Sequence, residues 1–496
     1  MALDQNRINE LRALEIAPQM LWINGQAVAS QSNQTRQITS PIDGQPLTTL
    51  QEAGVEDVDA AVIAARTSFE AGHWSAMAPA GRKKIMHRIA DAIEANADAL
   101  AVLGVRDNGT EIAMAATAEP GSAAATFRFY AECCDKVMGD IAPTDPSVLG
   151  LIHKEPVGVI GAIVPWNFPL MIAAWKIAPA LAMGNSVVLK PAEQASLSLL
   201  RLTEICHEAG LPAGTLNTLT GSGAVVGQAM SEHMDIDALV FTGSGQTGGK
   251  IMEAAAKSNM KSVYLELGGK SPNLIFADAP NLDAAIKAGA NGIFRNSGQV
   301  CVAGSRLLVE APIYDEVVEK LSSFASDMKV GDPLDLTTQS GAVVNQTQLD
   351  ADLGHVGRAK SDGARLTAGG EQILKETGGT YMQPTVFADV TSDMSLAQEE
   401  VFGPVVGIMR FETDEEAIKI ANSTVYGLAA GVNTSDLSRA HRMIRAIDAG
   451  VVHVNTYGGP DITVPLAGHK RSGNGADKSL YALDKYVKLK TAWIQL

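Results

Sequence analysis

Apolar and polar positions recur along the chain with two different periods. After Pro79, the residues Ile85, Ile89 and Ile93 form a stripe with helical spacing, and similar stripes occur between residues 55 and 138. The pattern predicts helices over residues 55–72, 80–104 and 111–138. The preceding residues 21–55 contain short strand-like runs, and the dipeptide Asn24-Gly25 predicts a hairpin turn between two of them.

From residue 150 the pattern changes to strands that alternate with helices. Continuous apolar runs predict five strands, at residues 157–164, 186–190, 216–219, 238–242 and 262–267. Runs of this kind are typical of an open, mostly parallel sheet with both faces covered. Right-handed crossovers then place the strand ends, and any ligand, along one edge of the sheet.

Beyond Gly268-Gly269 the alternation restarts with a strand at 273–276 and a helix at 282–296. These elements predict a second α/β unit that extends to about residue 470. The last segment, residues 486–496, is strand-like and ends on apolar side chains, so we expect it to dock, with a partner subunit as the simplest choice.

Composition excludes several kinds of partner. The chain has 496 residues and a net charge of −16, which indicates more than one domain and disfavours nucleic acid. Residues 157–175 are almost wholly apolar, but Pro165 and Pro169 interrupt them, so no membrane span is predicted. The four cysteines show no disulfide or metal-binding spacing, so no metal is expected, and the polar N-terminus shows no leader. The expected location is cytoplasmic.

Cys301 is the first candidate for chemistry. It follows Gly298-Gln299-Val300 and precedes Val302-Ala303-Gly304, and such small neighbours leave room for a carbonyl carbon to approach. A thiolate is a strong nucleophile, but it needs an activating partner. The competing interpretation is a half-buried structural cysteine, which is the commoner role of a lone cysteine.

A glycine-rich loop is the second candidate. Residues 243–248 read Gly-Ser-Gly-Gln-Thr-Gly between a strand and a helix, which suits a pyrophosphate but also describes a plain turn. A dinucleotide site also needs an acid for the adenosine ribose. Glu266 lies 18 residues after Gly248, and Glu193 follows Lys190 at the end of an earlier strand. The spacing leaves both acids open for this role.

Six spaced motifs now identify a resemblance. They are Pro165-Trp166-Asn167-Phe168-Pro169, Leu189-Lys190-Pro191, Phe241-Thr242-Gly243-Ser244, Leu265-Glu266-Leu267-Gly268-Gly269-Lys270, Gly298-Gln299-Val300-Cys301 and Glu400-Val401-Phe402-Gly403-Pro404. These motifs have the order and spacing found in the NAD(P)-dependent aldehyde dehydrogenase superfamily. The chain resembles that superfamily from about residue 20 to its end. Its tail, residues 472–480, is similar to that of bacterial dehydrogenases of γ-glutamyl-γ-aminobutyraldehyde and related amino-aldehydes.

The resemblance implies an α/β fold with two doubly wound α/β domains, a Rossmann-like cofactor domain and a catalytic domain, plus a small β oligomerisation element. The implied divisions are residues 1–138 and 158–267 for cofactor binding, 268–470 for catalysis, and 139–157 with 480–496 for oligomerisation. A homodimer or homotetramer is expected.

The resemblance also implies roles for individual residues. The implied catalytic residues are Cys301 as nucleophile, Glu266 as general base, Asn167 as oxyanion donor, and Lys176 with Asp477 as a proton relay. The implied cofactor-binding residues are Ile163, Pro165, Trp166, Lys190, Glu193, Gly223, Phe241, Gly243, Ser244, Leu267, Glu400 and Phe402. The implied substrate-binding residues are Phe168, Trp175, Arg295, Val300, Val302, Tyr457 and Asp461. NAD is expected in preference to NADP, because Glu193 would accept a bond from a free 2′-hydroxyl and repel a 2′-phosphate.

The resulting hypothesis is oxidation of an aldehyde through a cysteine thioester that water hydrolyses. A relative that transfers the acyl group to coenzyme A is an alternative, although Glu266 favours attack by water. A cysteine hydrolase and a non-enzymatic use of the fold are further alternatives. No histidine lies in a recognisable partner motif for the first, and Cys301, Glu266 and Asn167 together disfavour the second.

The substrate is less determined. Arg295 resembles a carboxylate-binding Arg of succinate-semialdehyde dehydrogenases, although a structural or solvated Arg fits equally. Trp175 replaces the second Arg of those enzymes, while Asp461, near Tyr457, would favour an amino group. A substrate with both charges, such as a γ-glutamylated amino-aldehyde, satisfies both signals. The chain departs from the family pattern at three places. Gly245 replaces a larger residue in the glycine loop, and Pro-Leu-Ala-Gly replaces Pro-Phe-Gly-Gly at residues 465–468. Ala476 replaces a common Arg, and the last two changes concern packing near the substrate tunnel and the subunit contacts.

Overall fold

The computed structural model describes residues 3–459 and 461–496. Its α-helices, in chain order, are α1 (Gln5–Arg12), α2 (Val55–Glu70), α3 (Pro79–Ala95), α4 (Ala97–Asn108), α5 (Ile112–Ala118), α6 (Pro120–Cys133), α7 (Pro169–Ala182), α8 (Leu197–Glu208), α9 (Gln228–Glu232), α10 (Gly245–Lys257), α11 (Leu282–Phe294), α12 (Tyr314–Asp327), α13 (Gln346–Ser361), α14 (Ser395–Gln398), α15 (Asp414–Ala421) and α16 (Leu437–Ala446).

The strands of the first half are β1 (Leu21–Ile23), β2 (Gln26–Val28), β3 (Gln34–Thr39), β4 (Pro46–Glu52), β5 (Asp140–Ala142), β6 (Val148–Pro156), β7 (Val159–Ile163), β8 (Ser186–Lys190), β9 (Leu216–Thr218), β10 (Ala238–Thr242) and β11 (Ser262–Glu266). Those of the second half are β12 (Pro272–Ile275), β13 (Arg306–Glu310), β14 (Arg365–Ala368), β15 (Gln372–Ile373), β16 (Tyr381–Met382), β17 (Thr385–Ala388), β18 (Val405–Phe411), β19 (Tyr426–Gly427), β20 (Ala429–Asn433), β21 (Val451–Val454), β22 (Leu466–Ala467), β23 (His469–Lys470), β24 (Ala476–Asp477) and β25 (Val487–Gln495).

The first large sheet has the strand order β11-β10-β7-β8-β9-β1-β2. Its first five strands are parallel, which confirms the five strands predicted from apolar runs. Every residue of β7 and β8 is buried, as expected for strands covered on both faces. The β1–β2 hairpin adds an antiparallel edge, and its turn residues Asn24 and Gly25 have φ of 53° and 76°, the left-handed pair that such a turn requires.

A second sheet, in the order β14-β17-β18-β13-β12-β20-β21, is parallel except at β14. The fold class is therefore α/β with two mostly parallel sheets. A third sheet, β25-β6-β5, is antiparallel and exposes Leu489 and Trp493. The division into cofactor, catalytic and oligomerisation segments stays a prediction.

Two predicted helices were wrong in their extent. The helix expected over 80–104 is divided at Asn96, whose side chain donates to Ala92 O at 2.8 Å and ends α3. The helix expected over 111–138 is divided because Pro120 begins α6 and cannot supply the backbone N–H that would continue α5. In the described part of the chain, no helix is long and apolar enough to cross a membrane.

The parallel strands deliver the candidate residues to one edge of the first sheet. Ile163, Lys190, Thr242 and Glu266 are the last residues of β7, β8, β10 and β11. Parallel neighbours end at the same edge, so all four face the same crevice. The loop after α11 reaches this crevice from the second sheet and carries Cys301.

Candidate active site

The loop before Cys301 has an unusual backbone. Asn296, Ser297 and Gly298 all have positive φ, at 49°, 49° and 72°. A side chain in this region costs of order 1–3 kcal/mol, and such residues persist only where their surroundings hold them. At Gly298 there is no room for one, because a Cβ would lie 2.0 Å from Gly403 O.

Buried hydrogen bonds hold this loop in place. Glu111 accepts from Asn296 N at 3.2 Å, and Thr110 Oγ1 donates to Asn296 Oδ1 at 2.7 Å. Ser297 Oγ donates to Gly341 O at 2.9 Å. Burial raises the pKa of Glu111 to about 7. The sequence pattern did not indicate Glu111 or Thr110, because they lie between two helices far from the cysteine in sequence.

Asn167 is fixed by the same loop. Its Nδ2 donates to Gln299 O at 2.8 Å, and Asn296 Nδ2 donates to Asn167 O at 3.1 Å. An amide nitrogen carries two hydrogens, so one remains for another acceptor. The structure therefore brings Asn167 to the segment that leads directly into Cys301, where an oxyanion donor is expected.

The negative charge of Glu266 acts on Cys301. Burial raises the pKa of the Cys301 thiol to about 12, and the nearby carboxylates Glu400 and Glu266 add to this effect. Burial also raises the pKa of Glu266 well above its usual range, and Asp477 adds to this. Neither carboxylate oxygen of Glu266 has a hydrogen-bond partner among the described residues. Both groups are thus held closer to their neutral forms than they would be in water.

Lys176 and Asp477 form a buried ion pair. Lys176 Nζ lies 2.9 Å from Asp477 Oδ2, and both side chains are 1% exposed. The structure places them on α7 and β24, and both exert charge effects on Glu266. The predicted pair therefore exists beside the candidate base. Lys485 is a third member that the sequence pattern did not indicate, and it contacts the other oxygen of Asp477 at 2.5 Å.

The ribose end of the crevice contains Glu193. Glu193 Oε1 accepts from Gly223 N at 2.6 Å, and Oε2 accepts from Arg36 at 3.0 Å. Lys190 Nζ donates to Pro191 O at 2.9 Å, and burial lowers the pKa of this lysine to about 8. Glu266, the other acid considered for the ribose, lies instead in the buried cluster with Lys176. Arg36 was not expected here, because it comes from the separate hairpin β3–β4.

The residues at the middle of the crevice fit a dinucleotide. Ser244 is the N-cap of α10, which begins at Gly245, and Gly245, Gln246 and Thr247 in its first turn are exposed. A Cβ on Gly245 would meet nothing within 4 Å, so the helix end is open to a phosphate. Thr242 Oγ1 is buried without a partner in the described structure, as expected for a polar atom that awaits a ligand.

Glu400 and Phe402 are the residues expected at the nicotinamide. Glu400 Oε1 accepts from Gly269 N at 2.9 Å, and burial raises the pKa of Glu400 to about 7. Phe402 packs edge-on against Trp166 with ring centroids 5.3 Å apart. The remaining expected cofactor residues are Ile163, Pro165, Phe241, Gly243 and Leu267, and they line or abut the same edge of the sheet. Gly243 N donates to Glu266 O at 3.1 Å.

Cys301 lies in the wall of a cavity of about 440 Å³. Six of the predicted substrate residues line it, namely Phe168, Trp175, Arg295, Val300, Val302 and Tyr457. Tyr457 is fixed by donating to Val302 O at 2.7 Å. Lys478 and His453 also line it, and no signal in the sequence singled them out beyond the position of Lys478 next to Asp477.

Asp461 is placed differently from expectation. It is exposed, accepts from Thr463 N at 2.8 Å, and is not among the described residues that line the cavity. Its charge instead acts on Lys478, whose pKa burial lowers to about 8 while Asp461 opposes that shift. Lys478 Nζ lies 5.7 Å from the centre of the Trp175 ring, within range of a cation–π contact.

Comparison with known proteins shows the family of this chain. The model of the aldehyde dehydrogenase family matches residues 27–492. The NADP/NAD-dependent aldehyde dehydrogenase PuuC of Escherichia coli is 47% identical over 98% of this chain and 97% of its own. The crystal structure of γ-glutamyl-γ-aminobutyraldehyde dehydrogenase from Burkholderia cenocepacia has a TM-score of 0.97 at 44% identity, and P. syringae AldA indole-3-acetaldehyde dehydrogenase has 0.98 at 47%, each covering 100% of both chains.

The fold and site thus define an oxidoreductase that uses NAD(P) to oxidise aldehydes. The chain belongs to the aldehyde dehydrogenase family. NAD as cofactor agrees with the AldA structure, which was solved in complex with NAD+.

Replacing Gly298 with alanine is expected to disrupt the loop that carries Cys301. The new Cβ would overlap Gly403 O at 2.0 Å in a backbone region unfavourable to side chains, so we expect a loss of at least about 2 kcal/mol in the free energy of unfolding, together with most activity. Denaturant unfolding measures this. Gly357→Ala is the matched control, because its Cβ would meet nothing within 4 Å on exposed α13. Equal stability of the two variants would contradict the assignment.

Proposed function

We propose that this enzyme oxidises its aldehyde through a covalent thioester and hydrolyses that thioester with water. The thiolate form of Cys301, which forms by loss of the thiol proton to solvent, adds through its sulfur to the aldehyde carbon, and the resulting oxyanion accepts bonds from Asn167 Nδ2 and the backbone N–H of Cys301. Bound NAD(P)+ supplies the hydride acceptor that makes this an oxidation. Glu266 then removes a proton from the water that attacks the thioester carbon.

The placement of Glu266 supports the hydrolytic assignment. A carboxylate with both oxygens free of protein partners among the described residues, next to a nucleophilic cysteine, is suited to accept a proton from water. Transfer to coenzyme A would need no such base. The raised pKa of Glu266 also means that its ionised form is a stronger base than an exposed carboxylate.

For the substrate, we propose an aliphatic aldehyde that carries a carboxylate at its far end. The observation that supports this is the charge of the cavity: Arg295 and Lys478 line it, and no Asp or Glu does so among the described residues. His453 adds no cation at neutral pH, since burial and Lys478 lower its pKa. A cavity with two cations and apolar walls favours a chain that ends in an anion.

A γ-glutamylated amino-aldehyde belongs to this class. Its glutamyl group bears a carboxylate, which Arg295 and Lys478 would bind, and an amino group, which would face the exposed Asp461 beyond Lys478. The Burkholderia relative named for γ-glutamyl-γ-aminobutyraldehyde has the same fold over the whole chain. Succinate semialdehyde is a shorter member of the class.

A second candidate is an aromatic aldehyde such as indole-3-acetaldehyde. Phe168, Trp175 and Tyr457 line the cavity, and three aromatic rings can hold a flat apolar group. The P. syringae relative is named for that substrate. Cations would then have no role in binding, which separates the two candidates experimentally.

The exposed apolar side chains of β25, Leu489 and Trp493, support a homo-oligomer in which this strand takes part. A dimer or a dimer of dimers is our proposal for the assembly.

Glu266→Gln is expected to leave NADH formation in the first turnover unchanged. Release of the carboxylic acid should slow about 10²–10⁴-fold, because no base would remain to take a proton from the water that attacks the thioester. Rapid mixing should show a burst of NADH equal to the enzyme present, followed by slow turnover. Exposed Glu376→Gln is the control. Release of acyl-coenzyme A rather than free acid by the native enzyme, when coenzyme A is added, would contradict the hydrolytic assignment.

Arg295→Ala and Lys478→Met are expected to lower kcat/KM for carboxylate-bearing aldehydes about 10- to 100-fold, because each removes a charged partner. For a neutral aldehyde of the same length, kcat/KM should change less than about twofold. The panel comprises γ-glutamyl-γ-aminobutyraldehyde, γ-aminobutyraldehyde, succinate semialdehyde and indole-3-acetaldehyde. Exposed Arg410→Ala is the matched control. Equal loss on every substrate would remove both residues as determinants of specificity.

Glu193→Ser is expected to raise the ratio of kcat/KM for NADP to that for NAD about tenfold or more. The change removes an anion that would repel a 2′-phosphate, and it releases Arg36, which pairs with Glu193 at 3.0 Å. Steady-state kinetics with both cofactors measures the ratio. A native enzyme that strongly prefers NADP would refute the role of Glu193.

A further inference from the structure

Two lysines bind one buried carboxylate behind the candidate base. Lys176 Nζ lies 2.9 Å from Asp477 Oδ2, and Lys485 Nζ lies 2.5 Å from Asp477 Oδ1. The three side chains are 1%, 1% and 6% exposed for Asp477, Lys176 and Lys485. The pair predicted from the sequence is therefore two members of a triad, and the triad with all three side chains ionised has one more positive charge than negative charges.

Glu266 is the group that balances this excess. Its carboxylate is buried without a hydrogen-bond partner in the described structure, and Lys485 and Lys176 both stabilise its ionised form against burial and against Asp477. With Glu266 ionised, the four groups sum to zero charge. Without Lys485, Lys176 and Asp477 would cancel and ionised Glu266 would be an uncompensated buried charge, which is strongly unfavourable.

The other titratable groups around the triad do not alter this sum. Tyr486 packs under Lys485 Nζ at 5.6 Å, and Tyr130 donates to Ser479 O at 2.9 Å. Burial raises the pKa of both phenols, so both are neutral at working pH. The pKa of Cys133, near Tyr130, is raised to about 11.

The groups further out also leave it unchanged. Tyr264 lies on β11, the strand that ends at Glu266, and Asp484 is exposed. Lys478 lines the substrate cavity, and the charge of Asp461 acts on it. On the reacting side, Cys301 faces Glu266 with its pKa raised.

We propose that Lys485 is a positioning residue that holds Asp477 and keeps Glu266 in the carboxylate form needed for hydrolysis. This inference rests on the proposed function. Water gives a proton to Glu266 and its oxygen to the acyl carbon; the carbon–sulfur bond breaks, and its electron pair stays on the sulfur of Cys301. Loss of Lys485 leaves Glu266 protonated over a wider pH range and so unable to take that proton.

The test is the pH dependence of kcat in Lys485→Met, Lys485→Arg and the control Lys488→Met, which removes an exposed lysine of β25. Activity should rise with pH through the ionisation of Glu266. In Lys485→Met the midpoint of this rise should move up by about one pH unit or more, while Lys485→Arg and Lys488→Met keep the native midpoint. A merely structural role would lower thermal stability and leave the midpoint unchanged, and that result would overturn the proposal.

A double variant keeps the test decisive where the single one folds poorly. Lys485→Met with Asp477→Asn removes one charge of each sign, so Lys176 alone balances Glu266 and the midpoint should return towards the native value. A midpoint displaced as in the single variant would overturn the proposal. Glu266→Gln separates the two levels of inference: if it retains the native rise with pH, the proposed function fails, whereas if only the Lys485 variants retain it, this inference alone fails.

Discussion

A carboxylate enclosed by protein, with no hydrogen-bond partner among the described residues for either oxygen, is the constraint on which the site depends. Burial away from water raises the pKa of Glu266 and so makes its ionised form a stronger base. The same burial also favours the protonated form of the carboxyl group. Lys176 and Lys485 oppose this tendency, because both positive charges favour the ionised form of Glu266, and both lysines contact Asp477, at 2.9 and 2.5 Å.

The catalytic loop meets a related constraint by different means. Three consecutive residues with positive φ turn the chain after α11 so that Cys301 faces the crevice, and buried bonds from Glu111 and Thr110 hold the turn. The same turn brings Gln299 O to Asn167. One backbone arrangement thus positions both the proposed nucleophile and the proposed oxyanion donor, so a change at Gly298 is expected to affect both.

Local sequence predicted most of the framework. Apolar runs located the five parallel strands, because strands covered on both faces have a continuous apolar pattern. Helix ends at Asn96 and Pro120 were missed, since an apolar stripe continues through both interruptions. Arg36 and Glu111 were missed for another reason: each acts on a site residue from an element distant in sequence. Lys485 lies only eight residues after Asp477, but no spacing rule connects the two, because the chain between them is neither one α-helix nor one strand. The left-handed loop was equally invisible, because Asn-Ser-Gly also occurs in ordinary turns.

In the substrate cavity, the residue at one position did not predict the charge of the wall. Trp175 stands where certain anion-specific relatives have an arginine, which suggested that one cationic site was absent. Lys478 comes from a later segment and places its ammonium 5.7 Å from the Trp175 ring, so a cation is present at that wall after all. Asp461, taken as a counter-signal, acts on this lysine from outside the described lining. Arg295 and Lys478 thus belong to the cavity wall, while Asp461 is not among the described residues that line it, so the opposed charges do not compete for one position in the cavity. A substrate end that bears both a carboxylate and an amino group stays our proposal.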